Sequence, residues 1–240
     1  MKNLRGTLFQ MSLALAFFFA SSMVSAATLD IGDKAPLFTL KVLNAGVIDG
    51  AYVNLSDFAK PLEEGGKKAT FLSFFATYCE PCKRELPYLV ELQKAYAAQG
   101  FQVVVVTIDK DAAEVAKVKS MVAELGAGFP VLNDRFGIVA RRYGVESLPM
   151  SFLIDQAGMV KMTNDGYGED GPVKLLTQSR MALGLPLGEQ APETLWPFVG
   201  VPADVQAKRD AAAQKALAAE KKKARKKRNK RRKKKTGAKR

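Results

Sequence analysis

Two cysteines separated by two residues, in Tyr78-Cys79-Glu80-Pro81-Cys82, stand where an apolar, β-rich run ends and a long helical pattern begins. That junction constrains the chain more than any other feature. A sulfur at a helix N-terminus faces unpaired backbone N–H groups and the positive end of the helix dipole, which lowers a thiol pKa from about 8.5 towards neutrality. Cys79 is therefore the expected attacking sulfur, and Cys82, one turn into the helix, the resolving sulfur that releases a mixed disulfide. Lys83 and Arg84 add positive charge nearby, and Glu80 opposes it. A structural zinc site wants four Cys or His ligands; with two Cys and no His in the chain, no metal is expected. A purely structural disulfide closing so small a loop would constrain the unfolded chain little.

Around this motif the pattern alternates. Strands are expected at Phe38–Val42, Ala69–Phe75, Phe101–Ile108, Phe129–Leu132, Ser151–Ile154 and Met159–Thr163, the last two joined by the turn Gln156-Ala157-Gly158. Leu86, Leu89, Val90, Leu92 and Tyr96 recur near the helical period, so a helix is expected from Pro81 to Gln99 with Gly100 as its stop. Further helices are expected at Asp111–Leu125, Ile138–Tyr143 (a single turn) and Pro172–Leu183. Strands alternating with helices predict an α/β sandwich with a largely parallel central sheet and an antiparallel hairpin at one edge.

The two ends differ from this body. Lys2 and Arg5, the apolar stretch Leu8–Ala20 and the small residues through Ala27 read as an export signal, residues 1–26, cleaved after Ala26. The stretch falls short of the roughly 20 apolar residues of a comfortable span, although an uncleaved anchor is the competing reading. No cysteine lies near the cleavage site to take a lipid. The folded domain is expected over residues 27–184, with a Pro-rich linker over 185–203, where Pro186, Pro192, Pro197 and Pro202 break regular structure. Trp196 and Phe198 are expected to pin that linker to the domain. The remainder, 204–240, is an Ala/Lys/Arg-rich tail. Residues 201–240 carry 18 Lys and Arg against Asp204, Asp210 and Glu220, a net +15, whereas the whole chain is +13 and residues 27–200 are −4. The basic pI therefore belongs to the tail. It has no apolar stripe for insertion into lipid, so electrostatic attachment to an anionic envelope surface is expected, worth about 1 kcal/mol per basic residue near the surface. A merely solvated charge run is the plainer reading. Nuclear targeting or nucleic-acid binding would explain the charge in a cytosolic chain, but the export signal argues against it.

The run Phe74-Phe75-Ala76-Thr77-Tyr78-Cys79-Glu80-Pro81-Cys82-Lys83-Arg84-Glu85-Leu86-Pro87 resembles the TlpA/ResA branch of the thioredoxin superfamily. The resemblance covers the whole body: Gly32-Asp33-Lys34-Ala35-Pro36, Val106-Thr107-Ile108-Asp109, Tyr143-Gly144-Val145 and Phe152-Leu153-Ile154-Asp155 follow the family's order. It implies a thioredoxin-like fold, a central mixed β-sheet flanked by helices, with an α/β insertion before the Pro149 segment that the helix at Asp111–Leu125 would supply. It also implies an exported thiol–disulfide oxidoreductase of the periplasm or cell envelope, without a cofactor. Its substrates would be protein disulfides, apocytochrome c among them, and its electron donor a membrane thiol–disulfide protein.

Three further positions acquire roles from that resemblance. Pro149 matches the family's cis-proline, which would set the Leu148 backbone opposite the cysteines to pair with an extended substrate; spacing alone leaves an ordinary strand-start proline open. Glu85, three residues past Cys82, shares its helix face, and a glutamate here modulates the thiols in the family, since a nearby carboxylate raises a thiol's pKa and can move its proton. Without the resemblance, a solvated first-turn glutamate explains it as well. Tyr78 departs from the usual tryptophan before the first cysteine but keeps a flat aromatic surface; with Pro81 it completes the expected substrate-facing set. Two rival functions remain at this point. A peroxiredoxin-like peroxidase shares the Gly32–Pro36 opening, but Ala76 stands where its peroxidatic cysteine is usually preceded by Thr or Ser. An envelope-binding module would make the tail primary and the domain a carrier.

Overall fold

The computed structural model describes residues 29–208, 210, 211, 214 and 215. The expected export segment and most of the basic tail lie outside them. Seven strands form one sheet: β1 (Thr39–Val42), β2 (Tyr52–Asn54), β3 (Ala69–Phe75), β4 (Phe101–Thr107), β5 (Val131–Asn133), β6 (Met150–Asp155) and β7 (Val160–Asp165), in the order β2-β1-β5-β4-β3-β6-β7. Its helices are α1 (Glu80–Tyr96), α2 (Ala112–Glu124), α3 (Ile138–Arg142), α4 (Gly171–Leu183) and the short α5 (Trp196–Val199).

β3 and β4 are buried at every residue, as strands covered on both faces must be. They pair in parallel over their whole length, and β4 pairs in parallel with β5. Parallel pairing stops there. β1 runs antiparallel to β5 and to β2, and β6 antiparallel to β3 and to β7, so the sheet is mixed, with an unexpected hairpin at its β1 edge. One core layer holds Phe71, Phe75, Leu86, Leu89, Phe101 and Val103 beneath α1, α2 and α4; the other packs Phe74, Val104, Val106 and Phe152 against Tyr143 after α3.

α1 ends in a 3-10 turn, Ala97–Gln99, stopped by Gly100 in the left-handed region at φ 90°, where a side chain would also crowd Lys68. Between β4 and Pro149 lie α2, β5 and α3. Beyond α4 the chain returns over the helices: Leu195 is fully buried, the Phe198 ring meets Tyr88 edge-on at 5.3 Å, Trp196 Nε1 donates to the Ala191 carbonyl at 2.9 Å, and buried Arg180 donates to the Glu189 carbonyl at 2.8 Å.

Candidate active site

β3 and β4 lie in register with Phe75 opposite Thr107, so the residues two past each, Thr77 and Asp109, meet at the same edge of the sheet. Asp109 Oδ2 accepts the Thr77 backbone N–H at 3.0 Å and the Thr107 hydroxyl at 2.6 Å, while Oδ1 accepts the Thr77 hydroxyl at 3.0 Å. Buried carboxylates need such partners. This clamp fixes the loop two residues before Cys79, and the carboxylates of Asp109 and of Glu114 on α2 share the single Thr77 hydroxyl proton.

Cys79 is the N-cap of α1, in extended conformation at φ −90°, ψ 103°, and its Sγ accepts the Cys82 backbone N–H at 3.2 Å. Pro81 sits in the first turn, where a missing N–H costs nothing. The two sulfurs are joined as a disulfide across a Cα–Cα distance of 5.3 Å. Cys79 is 6% exposed and Cys82 0%, so only Cys79 reaches the surface. Glu80 does not act alone on them, because Lys83 Nζ holds its carboxylate at 2.6 Å in an exposed pair.

The β3–β6 register places Met150 opposite Phe74; extended by two residues, it sets Leu148 beside Ala76. The Leu148–Pro149 peptide is cis and Pro149 is buried. Leu148, with Val145, Glu146 and Ser147, faces Tyr78, Cys79, Glu80, Pro81 and Ile108 across a groove of about 530 Å³. Tyr78, 72% exposed, forms one lip. Five of the expected residues (Tyr78, Cys79, Pro81, Leu148 and, behind it, Pro149) thus come together at one groove.

Glu85 lies inside instead. It is 2% exposed, and Ser73 Oγ of β3 donates to its Oε2 at 2.8 Å. Burial pushes its carboxyl up to about 7, partly opposed by the Ser73 hydrogen bond. The same burial, with the Glu85 charge as a lesser cause, raises the Tyr167 phenol. Such a group exchanges a proton near neutral pH, one helical turn from Cys82. Tyr88 Oη donates to the Pro172 carbonyl at 2.7 Å, which ties α1 to α4 below the site.

Sequence reasoning gave no role to Thr77, Thr107 or Ser73. Ser73 left a signal, a hydroxyl inside the otherwise apolar run Phe71–Phe75. Asp109 entered only as part of a quoted motif, without a role. Among the described residues, no group of three or more His, Cys, Asp or Glu is placed to hold a metal ion.

Comparison with known proteins falls on this same body. The profile of the AhpC/TSA family matches residues 31–163. The chain is 37% identical to the thiol-disulfide oxidoreductase ResA of Bacillus thuringiensis subsp. konkukian over 132 residues, 55% of this chain and 68% of that protein. Against the ResA of Geobacillus thermodenitrificans it is 34% identical over 143 residues, 60% of this chain and 74% of that protein. A Chlorobium tepidum structure, assigned as thiol:disulfide interchange protein DsbE, superposes with a TM-score of 0.56 at 34% identity, covering 65% of this chain and all of its own.

Proposed function

The chain belongs to the AhpC/TSA family, among its ResA-like thiol–disulfide oxidoreductases, and we propose that it works in the cell envelope as a reductant of protein disulfides. One observation carries the direction of attack: Cys79 caps α1 at the surface with a backbone N–H on its sulfur, while Cys82 is sealed beneath it. The Cys79 thiolate attacks one sulfur of the substrate disulfide and expels the other as a thiolate. Cys82 then gives its proton to the Glu85 carboxylate and attacks Cys79 Sγ. The second substrate thiolate leaves and the Cys79–Cys82 disulfide forms. Leu148 offers its backbone to an extended substrate strand along the groove. A membrane thiol–disulfide donor returns two electrons to reset the pair. Substrates trapped on the Cys82→Ser protein in cells identify the targets, apocytochrome c being the foremost. Peroxide reduction is the rival chemistry; Ala76 withholds the hydroxyl it uses, and a peroxide-consumption assay is expected to show none.

A reductant must not over-stabilise its thiolate: the Glu80–Lys83 pair adds no net positive charge beside Cys79, and Glu85, once ionised behind Cys82, opposes the thiolate. Equilibration with glutathione is expected to give a potential near −270 mV, the thioredoxin mark, and not near the roughly −120 mV of a strong oxidant such as DsbA. A value at the oxidant mark would reject the reductant assignment.

The basic tail is proposed to hold the enzyme on an anionic envelope surface without entering catalysis, on the strength of the +15 of residues 201–240 against the −4 body. Binding of this kind weakens as the Debye length falls from about 10 Å at 0.1 M salt to about 3 Å at 1 M. Truncation after Pro202 is expected to abolish co-sedimentation with anionic vesicles and leave insulin reduction intact. Vesicle binding that survives truncation or 1 M salt would rule the role out.

A further inference from the structure

Tyr78 lines two grooves. The first contains Cys79 and ends at Leu148. The second, about 570 Å³, shares only Tyr78 with the first and lies between Thr77 and Lys83 and the α2 residues Glu114, Lys117 and Met121. Both volumes fall in the range of binding pockets, roughly 300–1,000 Å³. No step of the disulfide exchange uses the second.

Glu114 bonds the Thr77 hydroxyl and receives Lys117 Nζ at 2.8 Å; these contacts, Lys117 first, hold its carboxyl below the usual range, so it stays charged. Lys83 is held by Glu80 at 2.6 Å. Each lysine ammonium has three donors and gives one of them to its carboxylate, so the rim presents spare N–H donors. Half-buried Met121, packed against the core, supplies an apolar and adaptable floor. A donor-rich rim over an apolar floor suits an extended polypeptide: its carbonyls or acidic side chains take the lysines, and an apolar side chain takes the methionine.

We propose that this second groove receives the substrate polypeptide on the side of its attacked cysteine that points away from Leu148, with Lys117 and Met121 as specificity-determining residues. The two grooves are then one surface, continuous over the Tyr78 ridge, with Cys79 near its middle. The proposal rests on the assignment of Cys79 as the attacking sulfur, and its test separates the two.

The test uses the full chain carrying Cys82→Ser. Peptides activated as thiopyridyl disulfides are coupled to Cys79, the adduct being verified by mass spectrometry. One peptide carries six residues N-terminal to its cysteine, one carries six C-terminal to it, and glutathione serves as the short control. Backbone amide NMR of each adduct is compared. One of the two extended peptides is expected to shift or protect the amides of Thr77, Lys83 and residues 114–121, while glutathione leaves them unmoved. If both extended adducts match the glutathione adduct across α2, the proposal falls although attack at Cys79 stands. In steady-state insulin reduction, Lys117→Gln, which removes the ammonium without setting a second carboxylate against Glu114, is expected to raise KM about threefold to tenfold with kcat changing less than twofold. An unchanged KM, or a loss carried by kcat alone, overturns it.

Discussion

Cys79→Ser is expected to abolish insulin reduction, by at least about a thousandfold, because removing the nucleophile of a covalent cycle removes the cycle. No third cysteine can substitute. Cys82 cannot take over, since it is fully buried in the first turn of α1. The reciprocal variant fails differently. Cys82→Ser retains attack but loses resolution, so it stops as a mixed disulfide after a single event. Reduced protein exposed to iodoacetamide at mildly acidic pH is expected to label Cys79 first, the sulfur facing the Cys82 N–H at the helix N-terminus. Faster labelling of Cys82 would reverse the assignment of the two thiols.

Glu85→Gln is expected to remove a pH dependence of stability worth about 3 kcal/mol, because the carboxyl moves from 4.5 to about 7 on burial. Below pH 4.5 it is protonated in both folded and unfolded chains, and its contribution is fully present. Between pH 4.5 and 7 the unfolded chain ionises it freely while the folded chain holds it neutral, so stability drains away and is lost as pH rises through 7. Glutamine keeps the shape and can accept from Ser73, but does not titrate. Denaturant unfolding of the oxidised proteins at pH 5 and pH 8 is the measurement. The variant's advantage over wild type is expected to grow by about 2.5 kcal/mol between the two pH values, the rest of the effect having been lost already at pH 5. A difference that stays constant with pH would show that Glu85 is already ionised in the folded protein. On the proposed role of Glu85 as acceptor of the Cys82 proton, the variant is also expected to slow resolution.

The parts of the fold written in local pattern were legible. β3 and β4 announced themselves as apolar runs because both their faces are covered, and α1 because its buried stripe repeats over many turns. β2 was not, since Tyr52–Asn54 is too short to show alternation. Its pairing to β1, and that of β1 to β5, is a long-range choice with no local signature. β5 begins two residues later than its apolar run, after Pro130, which has no N–H to give a ladder. In the site, Cys79 and Cys82 could be read from spacing because one helical turn separates them. Asp109 could not, being 32 residues from Thr77, and only the β3–β4 register joins the two. The Ser73–Glu85 contact is hidden for the same reason: the strand that supplies the hydroxyl and the helix that supplies the acid meet only after the sheet has formed.

Leu195, Trp196 and Phe198, laid back over α1 and α4, have a consequence of scale. On the proposed role of the tail, a leash is measured from the last residue fastened to the body, and here that is Asp204, whose carboxylate accepts from Gln190 Nε2 at 2.9 Å, not the end of α4 at Leu183. Had the chain come free at Gly184, the leash would begin 20 residues earlier (204 − 184 = 20). On that proposal, how far Cys79 ranges from a tethering point depends on the apolar side chains near residue 196 as well as on the lysines beyond them.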